Sequence, residues 1–523
     1  MKRSHRLMLL SSLGLLLLAS SLVVADVTLP AIISDNMVLQ TGRNLPIWGT
    51  AEPDEEVTVS IAGQRLTTQA DDQGRWMVKL APFQQPIDQP VSMTVTGKNT
   101  LTIKNILVGE VWVCSGQSNM RWMVSKSADA EKEMAAADYP SIRLFTLQNA
   151  STSKPCDGTP GQWRVCKPGT VGYFSAVAYY FGRHLNSTLN VPVGLVLAAV
   201  GGTPAEAWTS ETALESHKGL KSILDRWKQA EADYNRDASI ENEYQNKLAK
   251  WKRRVAKAKA KGRRLPPKPA KPHGRPGDLQ MPCGLYNGMI APLIPYAIKG
   301  AIWYQGESNA TRAYQYRQLF PAMICHWRQA WAQGDFPFLF VQLTNFQKPC
   351  DEPTESIWAE LREAQLMTLR LPKTGMAITI DIGDADDIHP KNKQDVGRRL
   401  ALAAEAIAYH RNVVYSGPIY DSMTVEGNQI RLRFTHLGSG LKAKHSETFL
   451  IGFTVAGADR QFVHADAHID GNTVVVKSDR VSNPVAVRYA WADNPACNLY
   501  NKEGLPASPF RTDDWPGITM SQE

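Results

Sequence analysis

The chain has 523 residues, of which 43% are hydrophobic and 21% are charged, and its formal net charge is +8. This length is enough for about three domains with a large buried core. The composition excludes general disorder, and the excess of positive charge lies mainly in one segment.

The first 25 residues have the pattern of a secretion signal. Lys2, Arg3 and Arg6 precede a mostly apolar run over residues 7–24, and small residues before position 26 suit cleavage. The alternative is an uncleaved membrane anchor, although the run is short for a full span. We predict a signal peptide over residues 1–25, no stable membrane insertion after its cleavage, and a periplasmic or secreted mature protein.

Seven cysteines fit an oxidising compartment but are too few for a dense disulfide framework. We expect Cys114 to be a buried thiol. A bridge between Cys156 and Cys166 is the most plausible local pairing, although spacing alone does not determine it.

The remaining chain divides into three regions. Residues 27–104 contain short alternating runs separated by turns, which predicts an N-terminal β-sandwich that either binds carbohydrate or braces the next domain. Residues 105–415 alternate strand and helix patterns, which predicts an α/β domain with helices over residues 174–185, 359–371 and 393–410. Residues 416–523 predict a small C-terminal β-domain with a hairpin at residues 470–472 and a final part, residues 488–515, that folds back onto the catalytic region.

An insertion at residues 212–280 interrupts the α/β pattern. Residues 214–259 are helix-prone, and the stretch from Lys247 to Arg275 contains 13 Lys or Arg residues and no Asp or Glu. Such a run can bind nucleic acid, but the predicted export argues against that partner. We expect a solvated basic helix and an extended linker, placed to contact anionic glycans or lipids.

Four apolar strands of the α/β region each end in a polar or Gly-containing cluster. These clusters contain Ser118, then Gly201 and Gly202, then Gln305 and Glu307, and finally an acidic loop that ends at His389. In an open parallel sheet such strand ends converge on one crevice. A serine after a glycine turn can also be only a helix N-cap, so the other strand ends carry the functional interpretation.

Three of these segments resemble a known family. GQSNM at residues 116–120, WYQGESNA at 303–310 and the D-x-x-H pattern at 386–389 are similar to the sialate O-acetylesterase family of SGNH hydrolases. The resemblance includes residues 35–40 and 489–491 and covers most of the chain after residue 26. It implies an α/β fold with an SGNH-type parallel sheet and a serine esterase without cofactor or metal.

The implied substrate is an O-acetylated carbohydrate, and O-acetylated sialic acid in particular. Acetylxylan and other plant polysaccharides are the alternative, because plant-polysaccharide acetyl esterases share the same motifs. An alternative of a different class is an exported glycan-binding protein with an inactive hydrolase core.

Ester cleavage by serine requires a hydroxyl, a base, a group that orients the base, and donors for the oxyanion. Ser118 is the predicted hydroxyl, and His389 is the predicted base because it alone among 11 histidines ends a strand-borne acidic loop. Asp386 has the family's spacing and is predicted to orient His389 and raise its pKa. Asp384 and Asp387 lie nearby in sequence, and Asp386 could instead cap the next helix.

The expected oxyanion donors are the backbone N–H groups of Ser118 and of Gly202 or Gly201, because glycine permits close backbone approach. The resemblance adds the side-chain amide of Gln305, with Asn309 as the alternative. Glu307 is expected either to anchor a nearby loop or to bias His389. A metal site in the acidic loop is a weaker alternative, because Glu307 is the only comparable ligand on the other strand ends.

Overall fold

The computed structural model describes residues 26–237, 239–261, 266, 268–269, 271–275, 277–446 and 449–521. The predicted signal peptide therefore lies outside the described residues. Within the described part of the chain, no helix is both long and apolar enough to cross a membrane.

Short, mostly antiparallel ladders form the N-terminal region, in which only β1 pairs in parallel, with β7. The strands are β1 Val38–Gln40, β2 Leu45–Thr50, β3 Glu56–Ile61, β4 Gln64–Gln69, β5 Arg75–Leu80, β6 Ile87–Thr96 and β7 Thr100–Gly116. Strand β3 pairs with β4 and β6, β6 pairs with β7, and β2 pairs with β5. The predicted boundary after residue 104 falls inside β7, so a single 17-residue strand enters the central sheet. The two regions consequently share one continuous hydrophobic core.

The central sheet is open and almost entirely parallel. Its further strands are β8 Tyr139–Leu147, β9 Gly161–Cys166, β10 Val193–Ala199, β11 Gly300–Tyr304, β12 Phe338–Val341 and β13 Thr374–Ala377. Their order is β13-β12-β11-β7-β10-β8-β9, and only β9 runs antiparallel to its neighbour. Every residue of β10 and β11 is buried, as expected for parallel strands covered on both faces.

The described residues contain ten α-helices, three of which overlap the helices predicted at residues 174–185, 359–371 and 393–410. They are α1 Ser118–Arg121, α2 Ala130–Ala135, α3 Pro168–Val171, α4 Ala176–Leu189, α5 Glu211–Glu215, α6 Lys218–Arg236, α7 Ser239–Ala260, α8 Ala313–Trp331, α9 Ile357–Met367 and α10 Lys393–Tyr409, all within the described residues. Side-chain caps start four of them, with Ser175 at α4, Ser210 at α5, Ser356 at α9 and Asn392 at α10. The insertion contributes α5, α6 and α7.

The C-terminal region has its own hydrophobic core. Its strands are β14 Ile419–Glu426, β15 Gln429–Thr435, β16 Leu441–Ala443, β17 Phe449–Leu450, β18 Phe453–Ala456, β19 Val463–His464, β20 Asp466–Asp470, β21 Thr473–Lys477, β22 Ala486–Tyr489, β23 Leu499–Asn501 and β24 Phe510–Arg511. Strands β20 and β21 form the expected hairpin, with Gly471 at φ +58°.

The last part of the chain does return to the catalytic region. Arg488 pairs with Glu355 at 2.8 Å, and Arg511 pairs with Glu363 at 2.7 Å. Since Glu363 lies in α9, these ion pairs attach the C-terminal strands to a helix that flanks the central sheet.

All seven cysteines are free thiols. Cys114 is buried, as predicted. The expected bridge between Cys156 and Cys166 is absent, because Cys166 ends β9 inside the core whereas the Cys156 thiol donates to the carbonyl of Asn287 at 3.5 Å.

Candidate active site

Ser118 lies where β7 passes into α1. The turn depends on Gly116, which has φ +134°, and a Cβ at that position would lie 2.2 Å from the carbonyl oxygen of Tyr304. Ser118 is the first residue of α1, and Gln117 is the N-cap residue. The Ser118 hydroxyl forms no cap hydrogen bond and instead lies 2.9 Å from Nε2 of His389. The helix-cap interpretation therefore does not describe this side chain.

His389 ends the loop that follows β13. Asp381 anchors this loop through a bidentate pair with Arg399 of α10, at 2.6 and 2.8 Å. The imidazole also stacks on the indole of Trp122, with ring centroids 4.9 Å apart and planes inclined by 13°. The ring therefore contacts Ser118, at the end of β7, through Nε2, and it contacts the indole of Trp122 through its face.

Asp387, and not Asp386, contacts the second nitrogen of this ring. Its Oδ1 lies 3.2 Å from Nδ1 of His389 and also accepts the backbone N–H of His389 at 2.9 Å. Asp386 is exposed, and its own N–H donates to Oδ1 of Asp384 at 2.9 Å. The predicted contact of Asp386 is therefore corrected: the loop turns so tightly that the carboxylate two residues before His389 reaches the ring.

The pKa of His389 is lowered from its ordinary value, whereas a rise was expected from sequence. Burial is the main cause, because it disfavours the imidazolium, and Asp387 raises the pKa only in part. A lowered pKa keeps the ring neutral, and so able to accept a proton, at neutral pH.

A buried polar network lies next to Ser118 and His389 and connects the segments that carry them. Nδ2 of Asn119 donates to Oε1 of Glu307 at 2.6 Å and to the carbonyl of Ile388 at 3.0 Å, and its Oδ1 accepts from Nζ of Lys393 at 2.6 Å. Burial lowers the pKa of Lys393 to about 7 and raises that of Glu307. Of the two roles expected for Glu307, the geometry matches loop anchoring, because Asn119 links it to the residue before His389.

Three backbone N–H groups at and near Ser118 have no hydrogen-bond partner among the described residues. Within the described residues, no hydrogen bond uses the N–H groups of Ser118, Gly201 or Gly202. Gly201 packs against the serine, since a Cβ there would lie 3.4 Å from Cβ of Ser118. Gly202 has φ +73°, a conformation that favours glycine. Free amides at strand and helix ends can bind an anion, so these groups are the candidates for the oxyanion position.

The side chains of Gln305 and Asn309 are committed elsewhere. Nε2 of Gln305 donates to Oδ1 of Asn309 at 2.6 Å and to the carbonyl of Thr203 at 3.4 Å, and the Asn309 amide donates to Glu206 at 2.8 Å. Both amides are fully buried. The geometry therefore departs from the expectation that Gln305, or alternatively Asn309, donates to the oxyanion.

The acidic loop does not converge on a metal position. Asp381 is paired with Arg399, and Asp384 accepts a backbone N–H. Among the described residues, no group of three or more His, Cys, Asp or Glu side chains is placed to hold a metal ion.

Sequence reasoning missed several members of the site. Asn119 lies within the GQSNM motif, Trp122 lies two residues after it, and Lys393 starts α10 directly after the His389 loop. A lysine in the first turn of a helix is an unusual choice next to the positive end of the helix dipole, and this was the one available signal that Lys393 has a specific partner.

An open parallel sheet that brings a serine hydroxyl, an imidazole and free backbone amides together at its strand ends defines a hydrolase of the SGNH type. A family model described as a carbohydrate esterase, sialic acid-specific acetylesterase, matches residues 108–266 and 283–406. The chain belongs to this family, and it is a carboxylic ester hydrolase that deacetylates carbohydrates.

Individual relatives agree with this assignment. The chain is 31% identical to the sialate O-acetylesterase of Rattus norvegicus over 91% of this chain and 93% of that protein. It is 30% identical to the human sialate O-acetylesterase over 93% of each chain. A solved carbohydrate acetylesterase from Xanthomonas citri is 38% identical, covers 94% of this chain and 100% of its own, and superposes with a TM-score of 0.79.

Proposed function

We propose that this chain removes O-acetyl groups from sialic acid through an acetyl-Ser118 intermediate. The observation that carries the proposal is the continuous contact from the Ser118 hydroxyl to Nε2 of His389, and from Nδ1 of His389 to Asp387. This is the arrangement that activates a serine, with a base in reach and a carboxylate that fixes the tautomer of the base.

In the first half-reaction, Ser118 Oγ attacks the acetyl carbonyl while His389 takes the hydroxyl proton. The backbone N–H groups of Ser118 and of Gly201 or Gly202 stabilise the oxyanion. The tetrahedral intermediate then collapses, the sugar oxygen leaves, and His389 returns the proton to it. In the second half-reaction, His389 deprotonates water, water attacks acetyl-Ser118, and acetate leaves as the serine regains its proton.

Support for the sugar comes from the family and from the mammalian relatives, whose names specify sialate. Acetylxylan is the competing substrate. Acetate release from a mixed panel of acetylated sialosides and xylo-oligosaccharides, followed by mass spectrometry, distinguishes them. A protein that deacetylates only the xylo-oligosaccharides would refute the sialate proposal while leaving the esterase assignment intact.

The nucleophile has a direct test. Ser118→Ala should lower kcat by up to about 10⁶-fold while leaving the fold intact, by analogy with other serine triads. A sulfonyl fluoride should add its mass to the peptide that carries Ser118 and to no other serine peptide. A folded variant that retains most of its activity would exclude acetyl-Ser118.

We also propose that the protein is exported and is cleaved after the apolar segment. The N-terminal sequence supports this proposal, since its basic start and apolar run are typical of secretion signals. Mass measurement of the mature protein from a periplasmic or culture fraction should give a chain that begins near Asp26, and an intact N-terminus would contradict it.

A further inference from the structure

A cavity of about 450 Å³ opens beside the Ser118 end of the sheet. Its size is within the range of roughly 300–1,000 Å³ that small-molecule sites occupy. The part of its lining that matters here consists of Gly202, Arg226, Trp227, His273, Gln280 and Arg312. Four of these residues come from the insertion at residues 212–280, for which the sequence predicted a solvated basic segment placed to contact anionic glycans or lipids.

One wall of the cavity adjoins the catalytic crevice. Gly202 lines the cavity and directly follows Gly201, which packs against Ser118. Ser308 also lines it, and the N–H of Ser308 donates to the side chain of Gln117, the residue before Ser118, at 3.3 Å. A ligand in the cavity therefore lies beside the reacting hydroxyl.

The opposite wall is docked onto the central domain. Arg226 of α6 donates to Gln315 of α8 at 3.1 Å, and Gln280 donates to the carbonyl of Gly202 at 2.9 Å. Gly274, at φ +79°, packs so closely on α6 that a Cβ would lie 2.4 Å from the carbonyl oxygen of Ala230. These contacts fix the insertion against the central domain, so that it forms a defined wall of the cavity.

The charge of the lining is positive. Arg312 pairs with Glu206 at 2.5 Å, and the second oxygen of Glu206 accepts from Asn309. Both oxygens of Glu206 are thus engaged, while Nε of Arg312 is buried without a partner among the described residues. Arg226 adds a second guanidinium, whereas His273 lies 3.7 Å from Asp278 and that pair adds little net charge. The half-buried indole of Trp227 supplies a flat apolar surface.

We infer that this cavity is the sugar subsite of the esterase and that its two arginines, Arg226 and Arg312, bind the carboxylate of an acidic sugar. The inference rests on the proposed function and adds which residues select the substrate. Guanidinium groups match carboxylates in shape and charge. Trp227 packs against the C–H face of the sugar ring, and the acetyl group reaches Ser118 past Gly202.

The test compares substrates that differ in one charge. The substrates are an O-acetylated N-acetylneuraminic acid, the same sugar with its carboxylate converted to a primary carboxamide, acetylated xylobiose, and p-nitrophenyl acetate. The variants are Arg226→Gln, Arg312→Gln and, as the control, Lys228→Gln. Lys228 is exposed on α6 and does not line the cavity, so its substitution removes the same charge from the same helix.

The wild type should prefer the acid to its carboxamide by about 10-fold to 100-fold in kcat/KM, as expected for hydrogen bonds to a charged group. Arg226→Gln and Arg312→Gln should each reduce this ratio about 10-fold, mainly through KM, and Lys228→Gln should leave it unchanged. Because Arg226 is exposed, its variant answers the question even if loss of the Arg312 pair impairs folding.

Equal rates on acid and carboxamide, an unchanged ratio in Arg226→Gln, or a wild-type preference for acetylated xylobiose would overturn the inference. In those outcomes hydrolysis of p-nitrophenyl acetate would still proceed, so the esterase proposal would stand. Failure of the wild type to hydrolyse p-nitrophenyl acetate would overturn both.

Discussion

Replacement of Asp387 by Asn is the sharpest test of the catalytic geometry. The carboxylate lies 3.2 Å from Nδ1 of His389, and its side chain is 46% exposed. Asn keeps the shape and can still accept one hydrogen bond, but it removes the negative charge that stabilises the imidazolium formed during attack. It also permits the wrong tautomer, because the amide can donate to Nδ1.

The size of the effect follows from the distance and the exposure. At 3.2 Å, the attraction between the two charges is about 5 kcal/mol at an effective dielectric constant of about 20 and about 1.3 kcal/mol in water. Because solvent screens a half-exposed carboxylate, we expect about 3 kcal/mol, or roughly a 100-fold loss of kcat/KM. This loss is smaller than the about 10⁴-fold typical of a buried triad aspartate.

The assay is acetate release across pH, with Asp386→Asn as the matched control. This control removes the same charge from the preceding residue, whose side chain does not contact the ring. It should lower kcat/KM by less than about threefold, since exposed charges interact weakly. Asp387→Asn should also move the acidic limb of the pH profile to lower pH, because Asp387 raises the pKa of His389. If Asp386→Asn is the crippling change and Asp387→Asn is mild, the orientation of the loop described here is wrong.

Three further predictions concern the base, its support and metals. In the wild type, kcat/KM should rise through one ionisation below pH 6.5 and then plateau, because burial lowers the pKa of His389 and only the neutral ring accepts the proton; a midpoint above 7 would contradict this. Asn119→Ala should destabilise the fold by about 3 kcal/mol and lower kcat, because it leaves the buried Lys393 and Glu307 without their shared partner. Thermal unfolding and steady-state kinetics measure the two effects, and Ser125→Ala, which lies outside this network, is the control. Prolonged dialysis against EDTA should leave the rate unchanged, whereas loss that a divalent cation restores would revive the acidic-loop metal site.

The sequence by itself determined at which edge of the sheet the reactive residues lie. Parallel strands place their carboxyl ends at one edge of the sheet, so apolar runs that end at Ser118, Gly202 and the His389 loop had to converge. Helix patterns located α4, α9 and α10, and a Gly-containing turn located the β20–β21 hairpin, because these features depend on local chemistry.

Only the tertiary structure decided which partner each side chain contacts within that crevice. Sequence spacing could not distinguish Asp386 from Asp387, since the backbone turn between Asp384 and His389 decides which carboxylate reaches the ring. Gln305 looked like an oxyanion donor until its amide was seen to bind Asn309 and Thr203, a competition between partners distant in sequence. The pKa of His389 likewise depends on burial by packed neighbours. For the same reason the insertion could be recognised as basic, but its place in the wall of the cavity that Gly202 lines depends on the docking of α6 on α8.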